Sequence, residues 1–273
     1  MDDLLKAAVL GIVQGLTEFL PVSSSGHLIL VPRLFGWEDQ GLAFDVGLHG
    51  GTLLALLVYF WRDWCAMLRG AVSVVRPGAA HTRDRTQARL LALIVAGSVP
   101  AAVVGLLFNS WIEANVRQPW LVAITLAVVG GVMLAAERFG RPMRSLHDIR
   151  AIDVAAIGLA QACALIPGVS RSGATISAGL FLGLTRDSAA RFAFLLGTPA
   201  FIGAALLKAS DLASESGAEL GELAFGFALS AVVGFAAIHF LLRYLRTHSL
   251  LPFVIYRWAV AALTLIVGAI RIA

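Results

Sequence analysis

Long apolar stretches, separated by short polar segments, run through the whole of this sequence. Each approaches the length that a helix needs to cross a hydrocarbon core about 30 Å thick, some only with help from the interface. Such a pattern predicts a polytopic membrane protein built entirely from α helices. The stretches are Leu42–Phe60, Leu90–Phe108, Trp120–Ala136, Phe192–Leu207, Leu223–Leu241 and Pro252–Ile270.

Two further apolar stretches, Leu4–Leu20 and Ile152–Ile166, are followed by breaks that contain proline and glycine. Proline has no amide N–H and disrupts a helix. Such breaks are tolerated at membrane depth where they are buried in protein or line a cavity. The first stretch is about 25 Å long as a helix, so a complete span is an alternative there. The breaks are Pro21 with residues 23–26 and Pro167 with residues 168–173, and short apolar runs resume at His27–Phe35 and Ala174–Leu184.

These two interrupted stretches resemble each other in sequence. Gly11–Gln14 matches Gly158–Gln161, and Val22–Gly26 matches Val169–Gly173, at one constant offset and without a gap. A shared offset favours an internal repeat over chance similarity between apolar segments. The sequence therefore predicts two repeats within one domain.

The distribution of charge predicts how the repeats, approximately 1–137 and 150–273 of a single membrane domain (1–273), lie in the bilayer. Arginine-rich loops mark the cytoplasmic side of a membrane protein. They alternate with acidic segments only if each interrupted stretch enters the membrane and returns on the same side. The predicted fold is therefore two inverted repeats, each a re-entrant broken-helix pair plus three transmembrane helices, with the N-terminus outside. The cytoplasmic arginines lie in the loops Trp61–Arg89 and Arg138–Arg150 and at 186, 191, 243 and 246; the acidic residues opposite are Asp2, Asp3, Glu38, Asp39, Glu113, Asp211, Glu215, Glu219 and Glu222.

Composition agrees with a membrane protein. Hydrophobic residues make up 59% of the chain and charged residues 14%, against about 45–50% and 25% in an average soluble protein. The net charge of +4 resides in short segments between apolar stretches, without the basic and aromatic stripe of nucleic-acid-binding proteins. No nucleic-acid partner is expected, and the acidic start of the chain is unlike a removable signal peptide.

The first break carries several residues that could perform chemistry. Gln14 and Glu18 are four residues apart and share one face of the interrupted helix. An ionisable residue in an apolar helix is a functional candidate, although a solvated position at the interface would also explain Glu18. The residues that follow are Ser23, Ser24, Ser25, Gly26 and His27. A carboxylate, hydroxyls and an imidazole favour nucleophilic or acid–base chemistry, while serines that only cap the next helix are the simpler alternative.

The second break carries Arg171 among Ser170, Ser172, Gly173 and Thr175. A guanidinium, hydroxyls and the amides of a helix N-terminus form a typical phosphate site. An arginine that reaches to the interface is the alternative. If the two breaks face each other, an anion site meets a carboxylate, a serine and a histidine, which favours phosphoryl transfer.

Both breaks lie in segments that resemble a known family. Gln14–His27 resembles the first signature of the bacterial undecaprenyl diphosphate phosphatases, the bacitracin-resistance family, and Pro167–Ile176 resembles the second. Segments within Phe44–Thr52 and Ile255–Arg257 also look like stretches of that family. The resemblance covers essentially the whole chain. The first family motif has Glu or Gln followed four residues later by Glu, and the Gln form found here leaves Glu18 as the only carboxylate of the pair.

The resemblance implies a function and a setting. It implies hydrolysis of undecaprenyl diphosphate to undecaprenyl phosphate and inorganic phosphate, which recycles the lipid carrier for peptidoglycan synthesis. It also implies a multi-pass protein of the bacterial cytoplasmic (inner) membrane whose active site opens to the outer, periplasmic side. The implied partners are the polyprenyl diphosphate substrate and the bilayer, with a homodimer as a candidate assembly.

The resemblance further implies the site residues and a cofactor. A divalent cation, Mg²⁺ or Ca²⁺, is expected, but its ligands stay unknown from the sequence, with Glu18 as the one candidate. The implied catalytic residues are Glu18, Ser24, His27 and Arg171, and the implied substrate-binding residues are Gln14, Ser23, Ser25, Gly26, Ser170, Ser172, Gly173 and Thr175.

Two alternatives stay open at this point. A lipid-phosphate transporter or flippase would have the same architecture and would also use Arg171, but it would need neither a nucleophile nor a base. Within a phosphatase, Ser24 attacks phosphorus with Glu18 as its base, or Glu18 orients a water or metal-bound hydroxide and Ser24 only hydrogen-bonds the phosphate. The single carboxylate favours the serine route, with His27 expected to protonate the leaving oxygen.

Overall fold

The computed structural model of the protein describes residues 2–38, 42–75, 81–207 and 217–272. These ranges form α helices joined by short loops and one 3₁₀ turn, Leu146–Asp148, and contain no β strand. The membrane side predicted for Asp39, Arg76, Asp211 and Glu215 concerns residues outside these described ranges. The side chain of Glu219 also lies outside the described part of the structure. The helices are α1 Asp2–Phe19, α2 Ser24–Phe35, α3 Leu42–Tyr59, α4 Trp61–Val75, α5 Thr82–Asn115, α6 Pro119–Phe139, α7 Ala151–Cys163, α8 Arg171–Phe181, α9 Arg186–Leu207, α10 Gly217–Tyr244 and α11 Leu251–Ile272.

Several of these helices are of membrane-spanning length. Within the described ranges, five are long and apolar enough to cross a bilayer: α5, α6, α9, α10 and α11. The pair α3 and α4, bent by 69° at Phe60, provides a sixth if it is counted as one broken span. Each predicted apolar stretch therefore falls on one of these elements, and the prediction of an all-α polytopic membrane protein is confirmed.

One predicted loop is wrong. The arginines of segment 61–89 predict a polar loop, but α4 occupies 61–75 and α5 begins at Thr82. Helix α4 is amphipathic, with Met67 and Gly70 buried and charged residues on the other face. It packs on α5, where Gly70 lies against the backbone of Asp84 and Ala88. Charge spaced along one face of a helix does not prevent it from forming.

Both breaks take the same backbone conformation. Ser23 and Ser170 precede α2 and α8 with φ angles of 77° and 70°, and each hydroxyl accepts a hydrogen bond from the amide three residues later. A positive φ costs a residue other than glycine about 1–3 kcal/mol and recurs at functional sites. The two serines therefore combine a helix cap with a strained turn, at the positions that the sequence repeat aligns.

The interrupted helices pack closely against long helices of the opposite half. Helix α1 packs on α10, where the backbone of Gly226 leaves no room for a side chain at Gly11. Helix α7 packs on α5, where Gly97 imposes the same restriction on Gly158. The sequence match aligns Gly11 with Gly158, so corresponding glycines make corresponding helix contacts.

The arginine-bearing helix ends meet at one side of the molecule. The contacts that join them are Arg89 to the Ile149 carbonyl, Arg144 to the Leu182 carbonyl, Arg186 to Glu137, Glu137 to the Leu250 amide, and Arg191 to Asp63. The N-terminal part of α5 and the loops between α6 and α7, α8 and α9, and α10 and α11 therefore share a side.

Candidate active site

The two breaks contact each other in the interior of the molecule. Ser172 donates a hydrogen bond to the carbonyl of Leu20 (3.2 Å). The fully buried Arg257 of α11 donates to the carbonyl of Pro21 at one break and to those of Gly168 and Val169 at the other. One guanidinium therefore joins both breaks and satisfies the carbonyls that the interrupted helices leave without partners.

An open cavity of about 230 Å³ lies beside the joined breaks. Its polar wall combines residues of both breaks, and its apolar wall comes from α5, α7 and α9. The polar lining residues are Thr17, Glu18, Ser23, Ser24, Ser25, His49, Gln161, Ser170 and Arg171, and the apolar ones are Ala101, Ala164, Leu165, Ala200, Phe201 and Ala204.

Glu18 lies at the centre of this polar wall and is almost fully buried. Ser24 donates a hydrogen bond to its Oε2 over 2.6 Å, and Gln14 donates to the same oxygen over 3.0 Å. Arg171 donates to the other oxygen, Oε1, over 3.0 Å. The bend at Pro21 thus brings Ser24 onto Glu18, six residues earlier, while the second break supplies the balancing cation.

Arg171 occupies a space that its neighbours leave open. Its guanidinium lies 4.0 Å from the centre of the Phe201 ring. A Cβ atom at Gly197 would fall 1.2 Å from its Nη1, so any other residue there would displace the guanidinium. Among the described residues, buried polar atoms without a hydrogen-bond partner include Nε and Nη1 of Arg171 and both amide atoms of Gln161. The site therefore holds donors that its own residues do not use.

The other predicted residues shape the two turns. Ser23 and Ser170 accept from Gly26 N (3.4 Å) and Gly173 N (3.1 Å). Thr175 donates to the carbonyl of Arg171 (2.7 Å). Of the predicted residues that do not line the cavity, all but Gln14 and His27 lie in these turns: Gly26, Ser172, Gly173 and Thr175.

His27 faces away from the cavity. Its Nδ1 lies 2.7 Å from the carbonyl of Ser23, and its Nε2 lies 2.8 Å from the hydroxyl of Tyr256. A carbonyl only accepts, so Nδ1 carries the hydrogen and Nε2 accepts from the tyrosine. In this position His27 supports the Ser23 turn through its hydrogen bond to the Ser23 carbonyl.

Comparison with known proteins identifies the family of this chain. Residues 7–263 match the family described as "Bacitracin resistance protein BacA". The chain belongs to the BacA family. It is 46% identical over 269 residues to the undecaprenyl-diphosphatase of Moorella thermoacetica, covering 98% of each protein. It is 48% identical over 269 residues to the undecaprenyl-diphosphatase of Rubrobacter xylanophilus, covering 96% of this chain and 97% of that protein.

Among the polar residues that line the cavity of this BacA protein, Thr17, His49 and Gln161 were not predicted as site residues. His49, on α3, places Nε2 3.4 Å from Oε2 of Glu18. It stands in a stretch that resembled the family, but nothing in its spacing relates it to the breaks. Gln161, on α7, was visible only as the repeat partner of Gln14. His49 and Gln161 both reach the cavity because tertiary packing brings α3 and α7 to its wall.

The site of this BacA protein does not fit a resident metal ion. Among the residues that the structure describes, no group of three or more His, Cys, Asp and Glu side chains is arranged to hold one. Both oxygens of Glu18 already accept hydrogen bonds from Arg171, Ser24 and Gln14. A hard cation needs several oxygen ligands, and the single carboxylate, paired with an arginine, does not supply them.

Proposed function

We propose that this protein hydrolyses undecaprenyl diphosphate to undecaprenyl phosphate and inorganic phosphate. The relatives named above carry the name of this activity. The single observation that carries the proposal for this chain is the 2.6 Å hydrogen bond from Ser24 to Glu18, beside an arginine with unused donors. A transporter needs the arginine but has no use for a hydroxyl held by a buried base.

The first half of the reaction uses Ser24 as the nucleophile. Its Oγ attacks the terminal phosphorus while its proton passes to Oε2 of Glu18. The bond between the terminal phosphorus and the bridging oxygen breaks, and its electron pair leaves with undecaprenyl phosphate. The result is a phosphoserine at the N-terminus of α2.

Arg171 and the two helix N-termini hold the transferred phosphoryl group. The first amides of a helix have no acceptor within that helix and attract anions. The breaks place the starts of α2 and α8 beside one cavity, and Nη1 and Nε of Arg171 add charged donors. Such preorganised donors stabilise the charge of the transition state without having to reorient.

The second half of the reaction returns the enzyme to its starting state. Once the proton taken from Ser24 has left Glu18, water attacks the phosphoserine, Glu18 accepts the proton of the water, and the same carboxyl returns a proton to Oγ of Ser24 as the P–Oγ bond breaks. The phosphate then departs. Glu18 acts as the base of both halves, so one carboxylate suffices.

The leaving group needs no proton donor, which changes the role proposed for His27. The second pKa of a phosphate monoester is about 6, so undecaprenyl phosphate departs as an anion at neutral pH. The ring nitrogens of His27 are occupied by Ser23 and Tyr256. We therefore assign to His27 the positioning of the Ser23–Ser25 turn.

The apolar wall of the cavity suits a lipid that stays in the bilayer. Leu165 and Phe201 line the cavity beside the polar wall. The first isoprene units would lie along this wall while water reaches the diphosphate. Each buried CH₂ contributes about 0.8 kcal/mol before the cost of leaving the membrane is subtracted, so a long isoprenoid should be a better substrate than isopentenyl diphosphate.

The architecture proposed around this site is a pair of inverted repeats, residues 1–137 and 150–273. The matching strained serines and the matching glycine contacts of α1 with α10 and α7 with α5 support it. The shared side of the arginine-bearing loops supports a cytoplasmic location for that side. The site then opens to the periplasmic face of the inner membrane, where the carrier lipid is recycled for peptidoglycan synthesis.

The divalent cation and the homodimer expected from the family stay predictions. Because the described residues offer no ligand set, we propose that a cation such as Mg²⁺ would be bound by the diphosphate oxygens and water, as is common for this ion.

Phosphate release in detergent tests the proposed function. The purified protein should release inorganic phosphate from undecaprenyl diphosphate in micelles, where no transport is possible. Ser24→Ala and Glu18→Gln should abolish release, while Ser249→Ala, in the loop between α10 and α11, should not. A protein that binds the lipid and releases no phosphate would be a carrier.

A further inference from the structure

His49 lies beside the carboxylate of Glu18. Its Nε2 faces Oε2, the same carboxylate oxygen that receives the hydrogen bond from Ser24. The other oxygen is held by Arg171. A proton that leaves Ser24 therefore arrives on the oxygen that His49 faces.

The other side of the His49 ring fixes which nitrogen is available. Nδ1 lies 2.7 Å from the carbonyl of Asp45, one turn earlier on α3. Because a carbonyl only accepts, Nδ1 carries the hydrogen of the neutral ring, and Nε2 presents a lone pair. The ring is thus oriented to accept a proton from Oε2.

The side chain of His49 is more exposed to the cavity than that of Glu18. The exposed fraction of its side chain is 30%, against 4% for Glu18. Its ring lines the open cavity and lies 6.0 Å from the ring of Phe201. A proton on the more exposed His49 can therefore pass to cavity water more readily than a proton on the nearly buried Glu18.

The proposed reaction requires that the proton taken from Ser24 leave Glu18. In the first half, Ser24 and an ionised diphosphate become a phosphoserine dianion and an undecaprenyl phosphate dianion, and one proton is released. In the second half, water supplies the proton that returns to Ser24, so no net proton is exchanged. Unless the first proton leaves Glu18, the carboxyl cannot act as the base for water.

We propose that His49 is a positioning and proton-transfer residue that carries this proton from Glu18 to water. Oε2 of Glu18 gives the proton to Nε2, the Nδ1–H stays on the Asp45 carbonyl, and the imidazolium releases the Nε2 proton into the cavity. The inference rests on the proposed function and adds a residue that acts through Glu18 and not on the substrate.

The charged groups around His49 are compatible with a transient imidazolium. Glu18 faces it from α1, with Arg171 of α8 beyond that carboxylate. Asp45 lies one turn earlier on its own helix, near Arg117. Helix α9 presents the ring of Phe201. On the neighbouring helices, Glu222 of α10 precedes Leu223, whose side chain lies at Gly47. His239 of α10 contacts Tyr59, and Asp63 of α4 pairs with Arg191.

Kinetics of His49 variants in detergent test the proposal. His49→Gln should lower kcat by ~10-fold or more, within the range of acid–base effects, and should leave KM nearly unchanged. His49→Ala should regain turnover with added imidazole, in proportion to the free-base form. His239→Gln and His239→Ala, changes at an exposed histidine far from the cavity, should behave as wild type with and without imidazole.

The possible outcomes separate the two proposals. A wild-type protein that releases no phosphate from undecaprenyl diphosphate would refute the proposed function. An active wild type with an unchanged kcat in His49→Gln, or a change confined to KM, would overturn the role of His49 alone. Rescue that follows imidazolium would also overturn it, because an electrostatic partner needs the charge and a proton acceptor needs the base. If His49→Gln does not fold, His49→Asn carries the same test.

Discussion

Arg171 can reach Glu18 only because Gly197 has no side chain. The Cβ of an alanine would overlap Nη1 of the arginine, so the guanidinium would have to leave its place over the Phe201 ring. Gly197→Ala should therefore displace Arg171 and cost about 2–4 kcal/mol of transition-state stabilisation, as the loss of a preorganised donor does. The measurement is kcat/KM for undecaprenyl diphosphate in detergent.

A control on the same helix separates this effect from a change in helix stability. Gly203 also lies on α9, and within the described ranges no atom lies within 4 Å of the point where its Cβ would stand. Gly203→Ala should therefore leave kcat/KM near wild type. Equal activities of Gly197→Ala and Gly203→Ala would mean that the guanidinium is not needed where the structure places it.

The sequence indicated the residues of both breaks but not their surroundings. Glu18 and Arg171 could be predicted because an ionisable residue next to a proline break in an apolar helix is unusual, and the family resemblance implied Ser24 with them. Gly197 and His49 could not, since a glycine and a histidine in apolar helices have many explanations. Their relation to Arg171 and Glu18 appears only when α3, α8 and α9 are packed together.

At the scale of the elements, Arg257 stabilises the junction of the two broken helices. It is fully buried and donates to carbonyls of both breaks and of α6. Arg257→Met should leave these carbonyls without donors, each at a cost of about 1–3 kcal/mol, and should lower both the thermal midpoint in detergent and the activity.

Arg246 provides the matched control for this change. It is exposed after the end of α10, so Arg246→Met should leave the thermal midpoint unchanged. Arg257→Lys should be intermediate at best, because one ammonium cannot replace a planar fork that reaches several carbonyls. An Arg257→Met variant as stable and as active as Arg246→Met would show that the breaks hold together without this residue.

The elements themselves were largely predictable, and the exception has a physical cause. Hydrophobic stretches as long as those of α6 and α11 have few alternatives to a spanning helix, and proline with glycine marked both breaks. Helix α4 was missed because the arginines that suggested a loop occupy only its exposed face. The positive φ of Ser23 was not predictable, since serine ordinarily avoids that conformation.

At the scale of the whole molecule, the orientation in the membrane can be measured. If the arginine-bearing side is cytoplasmic, a cysteine at Glu38 should react with an impermeant thiol reagent added outside cells, and a cysteine at the exposed Met143 should react only after permeabilisation. Cys65 and Cys163 are free and exposed, so both should first be changed to serine. External labelling at 143 with protection at 38 would reverse the orientation.

The central claim is that Ser24 attacks phosphorus, with Glu18 as its base. The most direct test is the stereochemistry at the terminal phosphorus, with undecaprenyl diphosphate made chiral there by sulphur and oxygen isotopes and hydrolysed in detergent. Attack by Ser24 followed by attack by water gives two inversions, so the phosphoserine mechanism predicts net retention of configuration. Net inversion would mean that water attacks phosphorus directly, and it would contradict the phosphoserine mechanism.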